Sequence, residues 1–175
     1  ERLCKGGKRV DNISKTHTAS KRAGGVTADH WVRRHVLHGA CTCDVLWVDE
    51  VSQLDVGLWG QIAKLTISGT RFLLSGDFHQ FAPLGNFWRG SPIAEDAFSS
   101  SGLLHTLAGG NRCTLTECRR GDRGLFDFYS SIIPGGPRFA LPLPELVKQA
   151  KALFKHEGSA RWNLTTSHRK RTELH

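Results

Sequence analysis

The hydrophobic pattern is organised around one stretch, Val45-Leu46-Trp47-Val48, four apolar residues that run straight into Asp49 and Glu50. A short continuous apolar run predicts a strand buried on both faces, as in a parallel sheet. A second run, Phe72-Leu73-Leu74, follows Thr70 and Arg71 and predicts another buried strand, ending in Ser75-Gly76-Asp77. Between them Leu54, Leu58, Ile62 and Leu65 recur at helical spacing, and Ser68-Gly69 stops that pattern. Upstream, residues 1–7 read as a helix end with a Gly-Gly stop. Val10 and Ile13 mark a strand within residues 8–17, Gly24-Gly25 marks a turn, and a helix N-capped by Thr27 runs towards His38. Downstream, Pro83 to Pro92 reads as a loop, Ser99 to Gly102 as the start of a polar connector, and Cys113 to Thr116 as a strand. Asp122 to Ile133 and Pro144 to His156 are amphipathic helices separated by Pro134-Gly135-Gly136-Pro137, and Trp162 to Thr166 is a short strand. Strands alternating with helices predict an α/β fold with a mainly parallel sheet flanked by helices.

The two strand ends carry the candidate chemistry. Open α/β sheets place ligands beyond the C-terminal ends of their strands. An Asp at that place can hold Mg²⁺, directly or through water, and the next Glu can orient or deprotonate an attacking water. Asp49 and Glu50 have the form of a Walker B pair. The second strand ends in Gly76-Asp77-Phe78-His79-Gln80-Phe81-Ala82-Pro83. Gly76 allows a tight exit, and the Gln80 amide both donates and accepts, which suits sensing a terminal phosphate or positioning a water. Either half alone also describes an ordinary strand end; the pair together is far more specific.

On these residues the chain resembles the first motor lobe of a superfamily 1 helicase, closest to the PIF/RecD-like group. Asp49-Glu50 match motif II, and residues 76–83 match motif III, written Gly-Asp-Phe-x-Gln-Leu-Pro-Pro in that group. Phe81 and Ala82 stand where that pattern has Leu and its first Pro. The resemblance implies a RecA-like P-loop ATPase lobe, with ATP and Mg²⁺ as cofactors. Asp49 would order the metal, Gly76, Asp77 and Gln80 would lie at the nucleotide, and Phe78, His79 and Phe81 would face nucleic acid. It also implies motif Ia at Thr18-Ala19-Ser20-Lys21, which grips single-stranded DNA, and a Thr-x-x-His segment that brings His30 near it. Small hydroxyl side chains, free amides and flanking cations do suit phosphates; the alternative is a polar strand-to-helix loop. Leu115-Thr116-Glu117-Cys118-Arg119-Arg120 resembles motif IV, with Arg120 as the arginine that touches the terminal phosphate. Gly121 replaces the usual Gln, and Arg119 beside it blurs the assignment. Residues 1–133 would then be a partial lobe, and 134–175 the linker and start of a second lobe. Translocation from five-prime to three-prime is a further implication.

Composition then narrows the picture. The 175 residues suffice for a domain with a real core, and 39% hydrophobic with 23% charged content reads as a soluble globular protein. No run is long enough to span a membrane, and no signal peptide is recognisable. A net charge of +8 favours a polyanionic partner such as nucleic acid, the alternative being a basic but passive surface; the resemblance implies single-stranded DNA, with RNA as the other candidate. Five irregularly spaced Cys suggest no disulfide framework and a reduced, intracellular setting. His35, His38, Cys41 and Cys43 have poor spacing for a zinc site. Trp31 can stack on a base or fill the core, and Phe87, Trp88 and Arg89 can bind single strands or pack locally. Ser167 to Arg171 is basic and touches phosphate or is simply solvated.

No Met occurs, so the chain reads as a piece of a longer protein, and no Gly-x-x-x-x-Gly-Lys-Ser/Thr loop occurs in it. The resemblance implies that this loop and its strand come just upstream of Glu1. Without it the chain is expected to bind ATP weakly and turn over little, with a gap in the sheet and exposed edges. The leading expectation is part of an ATP-dependent DNA helicase. The alternatives are a nucleic-acid-binding or regulatory module with a helicase-like fold, and a viral-type RNA helicase.

Overall fold

The structure is a computed structural model that describes residues 6–80, 82–83, 85–94 and 96–155. It divides into two compact units, Glu1–Thr114 and Leu115–His175. The first is the expected α/β fold. Strands β1 (Val10–Ser14), β2 (Val26–Thr27), β3 (Val45–Val48) and β4 (Arg71–Leu74) form one parallel sheet in the order β2-β1-β3-β4. Helix α1 (His17–Arg22) connects β1 to β2, α2 (Ala28–Trp31) leads through a π turn at Val32–Val36 towards β3, and α3 (Val56–Ile62) precedes β4. The π turn and a 3₁₀ turn at Ala63–Thr66 continue helices whose apolar spacing had predicted longer regular elements.

The register sets Val48 between Ile13 and Leu74, so β1, β3 and β4 end at the same edge. Leu46, Val48, Ile13, Leu54, Trp59 and Ile62 are fully buried around β3, which makes it the centre of the core. Burying each such side chain contributes about 1.5–3 kcal/mol. Trp31 is buried too, and its indole donates to Asp11 Oδ2 at 2.8 Å, so the core reading of this residue holds and base stacking does not. β1 and β2 approach closely at Gly25, where a Cβ would lie 2.0 Å from the Asn12 carbonyl oxygen.

β4 departs from the expected doubly buried strand. It is the last strand of the sheet, with Phe72 and Leu74 half-buried, Arg71 exposed and Leu73 49% exposed. Its apolar run supplies one inner face only. The connector expected from Ser99 is partly helix α4 (Gly102–Leu107), whose Leu107 is buried in the core with Leu103 and Leu104 packed against it. Phe87–Trp88 (β5) and Ser91–Pro92 (β6) form an antiparallel hairpin where a loop was expected.

In the second unit α5 (Arg123–Ser130) is capped by Asp122, and α6 (Leu143–Leu153) has Pro144 in its first turn. The strand expected at Cys113 to Thr116 is absent: residues 111–119 are irregular, and Leu115 is 90% exposed. One aliphatic side chain among threonines has nothing to bury. The compact division falls between Thr114 and Leu115. The expected helix at Glu1–Lys5, the strand at Trp162–Thr166 and the basic run at Ser167–Arg171 lie outside the described residues. No helix of the described residues is long and apolar enough to cross a membrane.

Candidate functional site

β3 delivers Asp49 and Glu50 to the shared strand edge. The Asp49 amide donates to the Ile13 carbonyl at 2.8 Å, extending the ladder to β1 by one step. Glu50 then turns the chain with φ 55° and ψ 50°. This left-handed conformation costs a non-glycine residue about 1–2 kcal/mol. The turn is stitched to β4: Ser75 donates its amide to Val48 O at 3.0 Å, and Val51 donates to Ser75 O at 3.0 Å. A Cβ on Gly76 would sit 2.7 Å from the Val51 nitrogen, so only glycine permits this approach.

The two carboxylates are held differently. Asp49 Oδ1 accepts from the Ser75 hydroxyl at 2.7 Å, and Ser75 Oγ accepts from the Trp47 indole at 2.8 Å. Glu50 Oε2 is buried with no hydrogen-bond partner. A buried carboxylate oxygen without a donor is costly and points to a group that completes it. Past Gly76, Asp77 Oδ1 accepts from the His79 amide at 2.9 Å, and the Gln80 amide donates to Asp77 O at 3.2 Å. This turn leaves Asp77, His79 and Gln80 exposed at the edge, while Phe78 packs against the core. Phe81 lies outside the described residues.

The acids fit a hard divalent cation, which takes carboxylate oxygens. Asp49 and Glu50 would hold Mg²⁺ or its waters. The phosphates find less. Lys15, at the tip of β1, donates to Asp55 Oδ2 at 3.0 Å and Asp29 Oδ2 at 3.1 Å. Burial pushes its ammonium pKa down, but the bonds to Asp55 and Asp29 outweigh that and hold it above the usual lysine value. Asp55 also N-caps α3 by accepting from the Leu58 amide at 3.0 Å. Burial alone would raise its pKa; Lys15 and the Leu58 amide hold it below the usual carboxylate value. The nearby lysine is therefore committed to the scaffold.

The motif-Ia-like residues are placed otherwise than expected. Thr18, Ala19, Ser20 and Lys21 lie inside α1, capped by Thr16, whose Oγ1 accepts from the Ala19 amide at 3.2 Å. The Ser20 amide donates to Thr16 O at 3.0 Å, its hydroxyl donates to His17 O at 3.1 Å, and the residue is 1% exposed. Neither amide is free for a phosphate. Thr18, Lys21 and His30 remain exposed. In the second unit Arg119 pairs with Glu117 at 2.8 Å, and Arg120 is exposed outside that pair. Cys118 beside them has its thiol pKa lowered, first by the Gly121 amide and then by the Arg120 amide.

Part of the chain is similar to Pif1 of Bacteroides sp. The crystal structure of that protein in complex with ADP-AlF4 matches 47% of this chain at 20% identity with a TM-score of 0.39. The match covers 25% of Pif1, so this chain spans about a quarter of that protein. No family model matches the chain, and no curated protein matches it.

Pattern reading named the acids, Gly76 and Gln80 as candidates, and did not name Ser75, Trp47, Lys15 and Asp55, whose side chains hydrogen-bond around this edge. Ser75 carried one signal, its place at the end of the second apolar run. Trp47 carried none, because an indole inside an apolar strand reads as packing.

Proposed function

We propose that the chain is part of an ATP-dependent helicase motor of the superfamily 1 type, acting on single-stranded DNA. One observation carries this reading: the Asp49-Glu50 turn is stitched to Ser75, the residue that leads into the Gly76–Gln80 turn, at one sheet edge, with Glu50 Oε2 buried and unpartnered. Mg²⁺-ATP, when bound, supplies the phosphoryl group and the cation that neutralises its charge. Asp49 holds the cation or its waters. Glu50 takes the proton from the attacking water, for which an unpartnered carboxylate oxygen is free. Gln80, exposed on the neighbouring turn, orients that water and links phosphate state to the segments on its far side. Arg120 is the candidate for the terminal phosphate by its place in the motif-IV-like stretch, since a planar guanidinium can spread over transferring oxygens.

The test is Glu50→Gln in a chain that carries a P-loop ahead of residue 1. Nucleic-acid-stimulated ATP hydrolysis is expected to fall by at least about 10²-fold, with Mg²⁺-ATP binding retained. Unchanged turnover refutes the assignment.

A second reading, a nucleic-acid-binding module without turnover, rests on the net charge of +8. A P-loop encoded directly upstream of residue 1 supports the motor; its absence supports the module.

A further inference from the structure

Asp49 and Ser75 follow the paired residues Val48 and Leu74, so they face each other across β3 and β4. Trp47 is two residues before Asp49 and shares its side of the strand. The resulting chain of hydrogen bonds runs from the Trp47 indole to Ser75 Oγ at 2.8 Å and from Ser75 Oγ to Asp49 Oδ1 at 2.7 Å. Its direction follows from chemistry. An indole N–H only donates and an ionised carboxylate only accepts. The hydroxyl between them must accept from Trp47 and give its single proton to Asp49. Ser75 cannot drift, because its amide and carbonyl are both bound, to Val48 O and the Val51 amide. A free serine hydroxyl would rotate among several acceptors; here the indole occupies one side and leaves one outcome.

We propose that Ser75 and Trp47 are positioning residues that fix the Asp49 carboxylate through Oδ1 and so reserve Oδ2 for the cation. This rests on the metal-nucleotide reading of the same edge. Carboxylate ligands held by an outer partner lose about 10–100-fold in metal affinity when that partner is removed. No other described side chain hydrogen-bonds Asp49.

The probe is Mn²⁺, with binding to the chain read by electron paramagnetic resonance. Ser75→Ala is expected to weaken Mn²⁺ binding by about tenfold, Ser75→Thr to restore it, and Trp47→Phe to weaken it by a smaller factor. Asp49→Asn separates the two levels of the proposal. If Asp49→Asn weakens binding and Ser75→Ala does not, the positioning role is overturned while the metal reading stands. If Asp49→Asn leaves binding unchanged, the metal reading falls and the positioning role falls with it. A metal-free readout follows the Trp47 indole proton by nuclear magnetic resonance, assigned by its loss in Trp47→Phe. That resonance is expected to move upfield in Ser75→Ala and stay near the parent position in Ser75→Thr. An indole proton indifferent to Ser75→Ala overturns the hydrogen-bond chain itself.

Discussion

Glu50 is where a single residue shows what the site asks of the fold. It has a left-handed backbone and a buried carboxylate oxygen without a partner. Both features oppose stability, and neither is needed to end a strand. Strain of this kind persists where the surroundings over-determine it. Here the over-determination is visible in the amides of Val51 and Ser75 that lock the turn to β4. Replacing Glu50 by glycine relieves the backbone and deletes the orphan oxygen. Glu50→Gly is therefore expected to raise unfolding stability by about 1 kcal/mol in urea titrations. A destabilised variant would mean that the side chain is structural rather than held in reserve.

Among the elements, α3 shows how local capping and long-range charge are combined. Asp55 caps the helix through the Leu58 amide and holds Lys15 from the tip of β1. Its pKa is depressed in the folded chain, so its contribution is fully present above the unfolded value near 3.8 and is lost as pH falls through the folded value. Lys15 has the opposite sign: its raised pKa stabilises below 10.5 and is lost as pH rises beyond it. Asp55→Asn keeps a good cap but cannot titrate. The variant is expected to lose about 0.5 kcal/mol at neutral pH, as partly exposed pairs do. Its denaturation midpoint should also fall less steeply than the parent's as pH drops from the unfolded value near 3.8 through the folded value. Parallel acid limbs in the two proteins would remove Asp55 from the account. Helical spacing made α3 legible, and the Asp before it was a readable cap. The lysine partner was not readable, because it lies forty residues away in sequence.

For the whole molecule, net charge of +8 and the β5–β6 hairpin point the same way. Phe87 is 56% exposed and Trp88 54% exposed, with the Arg89 guanidinium 5.9 Å from the Trp88 ring centre. Exposed aromatics beside arginine suit the faces of unpaired bases. The chain is expected to bind a labelled oligo-dT strand, more weakly as salt rises. Trp88→Ala should lower that affinity by about tenfold, given the roughly 1–3 kcal/mol that stacking contributes per base. Equal affinity in the variant, measured by fluorescence anisotropy, would assign binding to charge alone.

The sequence by itself determined the strands around Val10–Ile13, Val45–Val48 and Phe72–Leu74, the helices that open at Thr27 and follow Leu54, the centrality of Val45–Val48, and the acids and glutamine that follow the two apolar runs. These are local properties: periodicity records which side of an element meets the core, and a carboxylate pair after a strand is legible wherever that strand goes. Only the tertiary structure decided which tips are neighbours. Register set Ser75 opposite Asp49, turned Trp47 from packing into a hydrogen-bond donor, and left β4 with one open face. It also drew Trp31 and Ser20 inward, away from any ligand, and folded residues after Ser101 into a core helix. Each of these outcomes depends on pairing between residues far apart along the chain, and hydrophobic periodicity carries no record of that pairing.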